Sequence, residues 1–370
     1  MLLRICLFLP IIAVFLTSGP SSAEIAAEPP YILLAQSKSS TPSQSPQAEM
    51  DRLQKQAEDL SQKGEHGEAR EAYKKLYELQ VRHQGSENQA TLDTRFSIAQ
   101  SLAESGENGE AEKIYRELLE VRKRLSGSAS PESRLVLDKL ALALFRQGKY
   151  GEAKTAYQQV YQLELEADGE DGQAHSWTGV NLANTYMKLK EYDEDNQLYE
   201  KVLAAKERLL SPEDQALLET RVFYGVALYQ QGQYGPAKEL FIKNYQDRKK
   251  SWGGAVPLND GYNLANTLLK LNEWESYDKL CDEIFDFWEK NSAEIHDSFF
   301  DTYQQLWVQQ NRAGQPARFL SFVTRLESLA RKALKKDDPR LSRLSRDLMA
   351  AQAAQLKEEK KYAEALVPSH

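Results

Sequence analysis

Four asparagines, Asn181, Asn184, Asn263 and Asn266, stand in two copies of the tetrapeptide Asn-Leu-Ala-Asn. An amide side chain offers an acceptor and two donors. A row of them pairs with the backbone of an extended peptide without reading its sequence. Residues three or four apart share a helix face, and equivalent positions elsewhere extend the row. They are Ser97, Gln100 and Glu104; Lys139, Leu142 and Arg146; Lys188; Phe223, Val226 and Gln230; and Lys270. Phe223 and Val226 interrupt the polar row and predict an apolar pocket for one hydrophobic side chain of a ligand. Arg146, Lys188 and Lys270 are placed to receive an acidic motif.

Residue types suited to turnover do not assemble in this way. His66, His83, His175, His296 and His370 lack metal-ligand spacing, and there is no His-Glu-x-x-His. No nucleophile elbow, phosphate-binding loop or nucleotide-binding glycine fingerprint occurs. Cys281 falls in a slot otherwise filled by aromatics and reads as a buried small hydrophobe. The expectation is a non-catalytic chain with no cofactor and no metal. The acidic balance, net −8 at pH 7, argues against a nucleic-acid partner.

The elements that position these residues are set by a repeat of 42 residues. Gly64, Gly106, Gly148, Lys190 and Gly232 are evenly spaced at that interval, and Asn272 follows after 40. Ala69, Ala111, Ala153, Asp195, Ala237 and Tyr277 stand five residues after each. Tyr73, Tyr115, Tyr157, Tyr199, Phe241 and Cys281 stand nine after each. Such periodicity means stacked units that each bury a face against the next. Before each turn a stripe such as Leu140, Ala141 and Leu144 must pack inside the hairpin. Its small member lets the two helices approach. Asp195 and Tyr277 break the small-residue rule, so packing there must differ. Ser130-Pro131 and Ser211-Pro212 each read as an N-cap followed by a first-turn proline.

The order small residue, glycine, aromatic, alanine, aromatic (Ala141, Gly148, Tyr150, Ala153, Tyr157) resembles the tetratricopeptide repeat. The longer period is similar to that of kinesin light chains, and the resemblance covers Leu53–Glu289. It implies an all-α fold, a right-handed α-solenoid of stacked helix-turn-helix hairpins, whose concave groove is lined by the asparagine-bearing face. It also implies a protein-binding scaffold without cofactor, and light-chain grooves use asparagine as suggested here. The family's carboxylate clamp needs lysine ten residues before the turn. This chain has Phe96, Asp138, Val180, Val222 and Tyr262 there, so a terminal-carboxylate clamp is not expected.

The ends add four expectations. Residues 1–23 read as a signal peptide: Arg4, an apolar run and a Ser21-Ser22-Ala23 cleavage site. Its removal makes the chain one charge more negative and leaves Cys281 as the sole cysteine, so no intramolecular disulfide forms. The protein is then exported, secreted or periplasmic. Residues 24–48 read as a Pro/Ser-rich linker, 49–290 as six repeats, and 291–370 as a degenerate repeat with capping helices. In that last part Lys361–Ala365 reads as a turn that opens a second helix. The expected partner is a protein or peptide. Membrane contact would come only through an uncleaved N-terminus or the basic segment 325–346. In that alternative the chain is a membrane-tethered structural or assembly factor of an envelope complex, using its outer faces or that segment.

Overall fold

The computed structural model describes residues 45–172, 177–291 and 316–365. The proposed signal segment, and all of the linker but its last few residues, lie outside the described residues. Contacts divide the chain into residues 1–45 and 46–370, and every described helix lies in the second unit. Among the described residues every regular element is a helix.

Six hairpins follow in order: α1 (Pro46–Gln62) with α2 (His66–Gln84), α3 (Gln89–Glu104) with α4 (Asn108–Ser126), α5 (Pro131–Arg146) with α6 (Tyr150–Gly172), α7 (Thr178–Leu189) with α8 (Tyr192–Leu209), α9 (Gln215–Gln230) with α10 (Tyr234–Ser251), and α11 (Leu258–Leu271) with α12 (Trp274–Lys290). Beyond them come α13 (Pro316–Ala333) and α14 (Pro339–Ala365). Each helix packs on its neighbours in sequence, as a nearest-neighbour stack requires.

The turn is the device that repeats. Gly148 takes φ 76°, a left-handed conformation that side chains resist. Lys190 and Asn272 occupy the same phase at φ 62° and 57°, the only non-glycine residues with positive φ among the described residues. The turn therefore survives the loss of glycine because the helices on either side hold it. α6 carries a break at Gly169, where φ is 68°.

Packing follows the repeat phase. Ala69, Ala111, Ala153 and Ala237 are fully buried, as are Tyr115, Tyr157, Tyr199 and Phe241. Gly225 fills the small position of α9, where an added Cβ would lie 2.6 Å from the Phe241 ring. The close approach of α9 and α10 rests on that missing methyl. Tyr277 is also fully buried, and its explanation lies one helical turn away. The chain sets alanine then tyrosine four residues apart in hairpins one to three, but Tyr277 then Cys281 in hairpin six. The bulky and small partners have exchanged places along one helix face, which conserves volume.

Two boundary expectations change. Ser130 caps α5 as expected, accepting from Ser133 N at 3.2 Å. The cap of α9 is Asp214, which accepts from Ala216 N at 2.8 Å, and not Ser211. Ser211 instead accepts a turn bond from Asp214 N through its carbonyl. The second change is at the C-terminus, where no turn forms at Lys361. α14 continues to Ala365, because Gln355–Lys361 holds only strong helix formers and no residue in the left-handed region.

Candidate protein-binding face

The first helices of successive hairpins touch one another directly from α3 through α11. Their outward sides therefore form one continuous surface, and the expected residues lie along it. Glu104, Arg146, Lys188, Gln230 and Lys270 are exposed at the end nearest the turns. Ser97, Lys139, Asn181, Phe223 and Asn263 are half-buried one row further back. Gln100 is exposed, while Leu142, Asn184 and Val226 are half-buried.

The array itself uses part of this polar row. Asn184 Oδ1 accepts from the Tyr199 hydroxyl at 2.9 Å, which uses part of its hydrogen-bonding capacity. Asn266 is 6% exposed and its Oδ1 has no hydrogen-bond partner. The two asparagines are equivalent by phase, but Cys281 stands where Tyr199 would donate. Gln100 Nε2 donates to Glu104, and Ser97 Oγ to the Asp93 carbonyl. Arg146 Nη1 reaches the Ala103 carbonyl of the preceding hairpin at 3.2 Å. Asn181 and Asn263 are half-buried on the same face, and their backbone carbonyls accept from Thr185 and Thr267 of their own helices.

The apolar interruption is larger than the sequence spacing suggested. The Trp177 ring meets Phe223 edge-on, with centroids 6.1 Å apart. Leu135, on α5, is 48% exposed. Both residues stand four before the row already identified, since 177, 181, 184 and 188 fall on one helix face. Extending the row by one turn would have found them. Beneath Trp177 lies Lys206, fully buried, its Nζ 4.6 Å from the ring centroid and without a hydrogen bond. Burial lowers the pKa of that amine.

Elsewhere the ionisable groups are structural. Burial pushes the Cys281 thiol up to about 12, which leaves it a neutral packing group. His66 Nδ1 lies 2.9 Å from Glu104 Oε2. Among the described residues no cluster of His, Cys, Asp or Glu has the geometry of a metal site. In the basic segment Arg325 is held by Asp282 at 2.8 Å, Asp286 at 2.7 Å and Glu289 at 3.3 Å. Arg331 pairs with Glu327 and Arg340 with Asp338. Lys332, Lys335, Lys336, Arg343 and Arg346 remain exposed. On the side of the second helices a cleft of about 500 Å³ opens between α4 and α6, floored by Leu137 and Leu140 and rimmed by Arg116 and Glu152. No described helix is long and apolar enough to cross a membrane.

Family models described as tetratricopeptide repeat match residues 49–124 and 98–166, and another of that description matches 178–216. Over those residues the chain carries tetratricopeptide repeats, and its described hairpins form an α-solenoid of that type. Its structure is similar to the nearly identical repeats of a kinesin light chain from Podosopora anserina, at 21% identity and a TM-score of 0.51. That match covers 57% of this chain and 99% of the other. The apo form of RapI matches at 15% identity and TM-score 0.51, covering 84% and 99%. BtubC (BKLC) from P. vanneervenii matches at 15% and 0.50, covering 69% and 94%. No curated protein matches the chain. Proteins built on these repeats typically mediate protein–protein interactions and are generally non-catalytic.

Proposed function

We propose that this protein is an exported scaffold that holds an extended segment of a partner protein along the outward face of α3, α5, α7, α9 and α11. The observation that carries the reading is one phase of the repeat. It sets the half-buried amides of Asn181, Asn184 and Asn263 on α7 and α11 around a half-buried Trp177–Phe223 pair. Amides pair with ligand backbone, and the aromatic pair receives one apolar side chain of the ligand. Arg146, Lys188 and Lys270 bias the ligand toward acidic residues beside that anchor. Export rests on residues 1–23 alone, and the chemistry of the face holds in any compartment.

The test is capture of partners from the native host by the full chain, with a second capture by Asn181→Ala/Phe223→Ala/Asn263→Ala. These positions are chosen because Asn184 and Asn266 also serve the packing. Circular dichroism checks that helicity is unchanged. A partner held by the parent and lost by the triple variant supports the reading. A partner held equally by both removes the face from the function. N-terminal sequencing of the protein from its host tests export: a mature chain that still begins at Met1 counts against it.

A further inference from the structure

The end of α14 repeats the sequence of a first helix and its turn. Lys361-Tyr362-Ala363-Glu364-Ala365 copies Lys149-Tyr150-Gly151-Glu152-Ala153 at every position but one. In hairpin three the turn at Gly148 folds α6 back on Leu137, Leu140, Ala141 and Leu144, all of them buried. Aligning the two motifs puts Met349, Gln352, Ala353 and Leu356 in those four places. α14 makes no turn there and stays helical through Ala365, so no second helix folds back on these residues from Lys360. All four are exposed, Met349 at 67% and Leu356 at 62%.

The other side of α14 is committed. Leu341, Leu344 and Ala351 are buried, and Ser345, one turn before Met349 on the seat's own stripe, donates its Oγ to Glu327 of α13 at 3.0 Å, so the open seat begins at Met349. The helix thus grips α13 with one face and presents the seat of a second helix on another. α1, by contrast, exposes the polar residues Asp51, Arg52, Gln54 and Lys55.

We propose that this seat receives an acidic amphipathic helix of a partner protein, packed on α14 as a second helix packs on a first. What covers the equivalent seat in six hairpins is a helix packed side by side, so a helix is the shape that fits. Charge selects its chemistry. Arg346 and Lys357 are exposed along one rim of the seat, and Lys360 is exposed at its C-terminal end. On the other rim Glu359 accepts from Gln355 Nε2 at 3.0 Å. A second copy docked antiparallel would set Arg346 against Lys357 and Lys360 of its mate, a like-charge contact. An acidic helix meets the opposite sign. The inference uses a different element from the face proposed above and stands or falls separately.

The test is fluorescence anisotropy of the full chain with two labelled 18-residue helical peptides. Both carry one leucine stripe at helical spacing; one is flanked by glutamate, the other by lysine. The glutamate peptide should bind saturably and about tenfold or more tighter than the lysine peptide. Met349→Gln/Leu356→Gln should weaken it by about tenfold or more, and Arg346→Glu/Lys357→Glu likewise. These substitutions are on the surface, so thermal melts should be unchanged. Asn181→Ala/Asn263→Ala should bind as the parent does. Equal binding of both peptides, or binding that Met349→Gln/Leu356→Gln leaves intact, overturns the proposal. So does a dimer that the same variant dissociates, which gives the seat to a second copy. Sedimentation onto phosphatidylserine vesicles with that same dependence also overturns it, in favour of a membrane surface.

Discussion

Asp195 occupies a slot that four other hairpins fill with alanine. It is fully buried. Its Oδ2 accepts from Gln231 Nε2 at 2.7 Å, while Oδ1 has no partner. Burial raises its pKa to about 7, and the Gln231 bond only partly opposes that rise. The native state therefore holds a proton that the unfolded chain, with an ordinary aspartate, releases near pH 4. Stability from this group is complete below that value and is lost as pH rises to about 7. Asp195→Asn should leave stability near pH 4 almost unchanged and raise it at pH 8 by on the order of 2 kcal/mol. Urea unfolding at the two pH values reads the difference. An equal effect at both would mean that Asp195 does not titrate between them.

Helix α12 shows how an element keeps its fit while changing its residues. Tyr277 fills the small slot and Cys281 the aromatic slot, four residues apart on one face. Tyr277→Ala alone empties a buried ring volume and should cost about 3–5 kcal/mol. Adding Cys281→Tyr restores the order of the other hairpins and gives Asn266 Oδ1 the hydroxyl donor that Asn184 has in Tyr199. The double variant should recover at least half of the loss, a coupling expected of neighbours that share one volume. Thermal melts of both single variants and the double one decide it. Additive losses would show that hairpin six packs by a different geometry.

Across the whole molecule the joints between hairpins are unequal. Recurrent half-buried ion pairs bridge them, including Lys154–Glu191 at 2.9 Å and Lys238–Glu273 at 2.8 Å, and each is worth little alone. The joint of hairpins four and five also buries Asp195, Lys206 and Arg221. The Lys206 amine lacks a hydrogen bond, and the Arg221 guanidinium is split between Asp247 and Glu207. Unpaired buried polar groups cost stability where they stand. Because each hairpin leans only on its neighbours, that cost stays local. Hydrogen exchange should therefore find α8 and α9 opening before α3, α4 and α5. Uniform protection from α3 to α9 would contradict this.

Local chemistry was enough to determine the repeat, the hairpins and the small-against-aromatic core, since a period of 42 residues writes the same contacts into the chain again and again. It also placed Asn181, Phe223 and Asn263 on one face, because a helix turns by a fixed angle per residue. Tertiary structure alone decided which of those side chains are free. Tyr199 reaches Asn184 from the neighbouring helix, and nothing does the same for Asn266, a matter of distance between helices. It also decided that Lys190 and Asn272 can turn like glycine while Lys360 does not. At the first two, a following helix packs back on the hairpin and fixes the left-handed residue. At Lys360 no such packing opposes the local preference to remain helical, and the face that a second helix would have covered is left exposed.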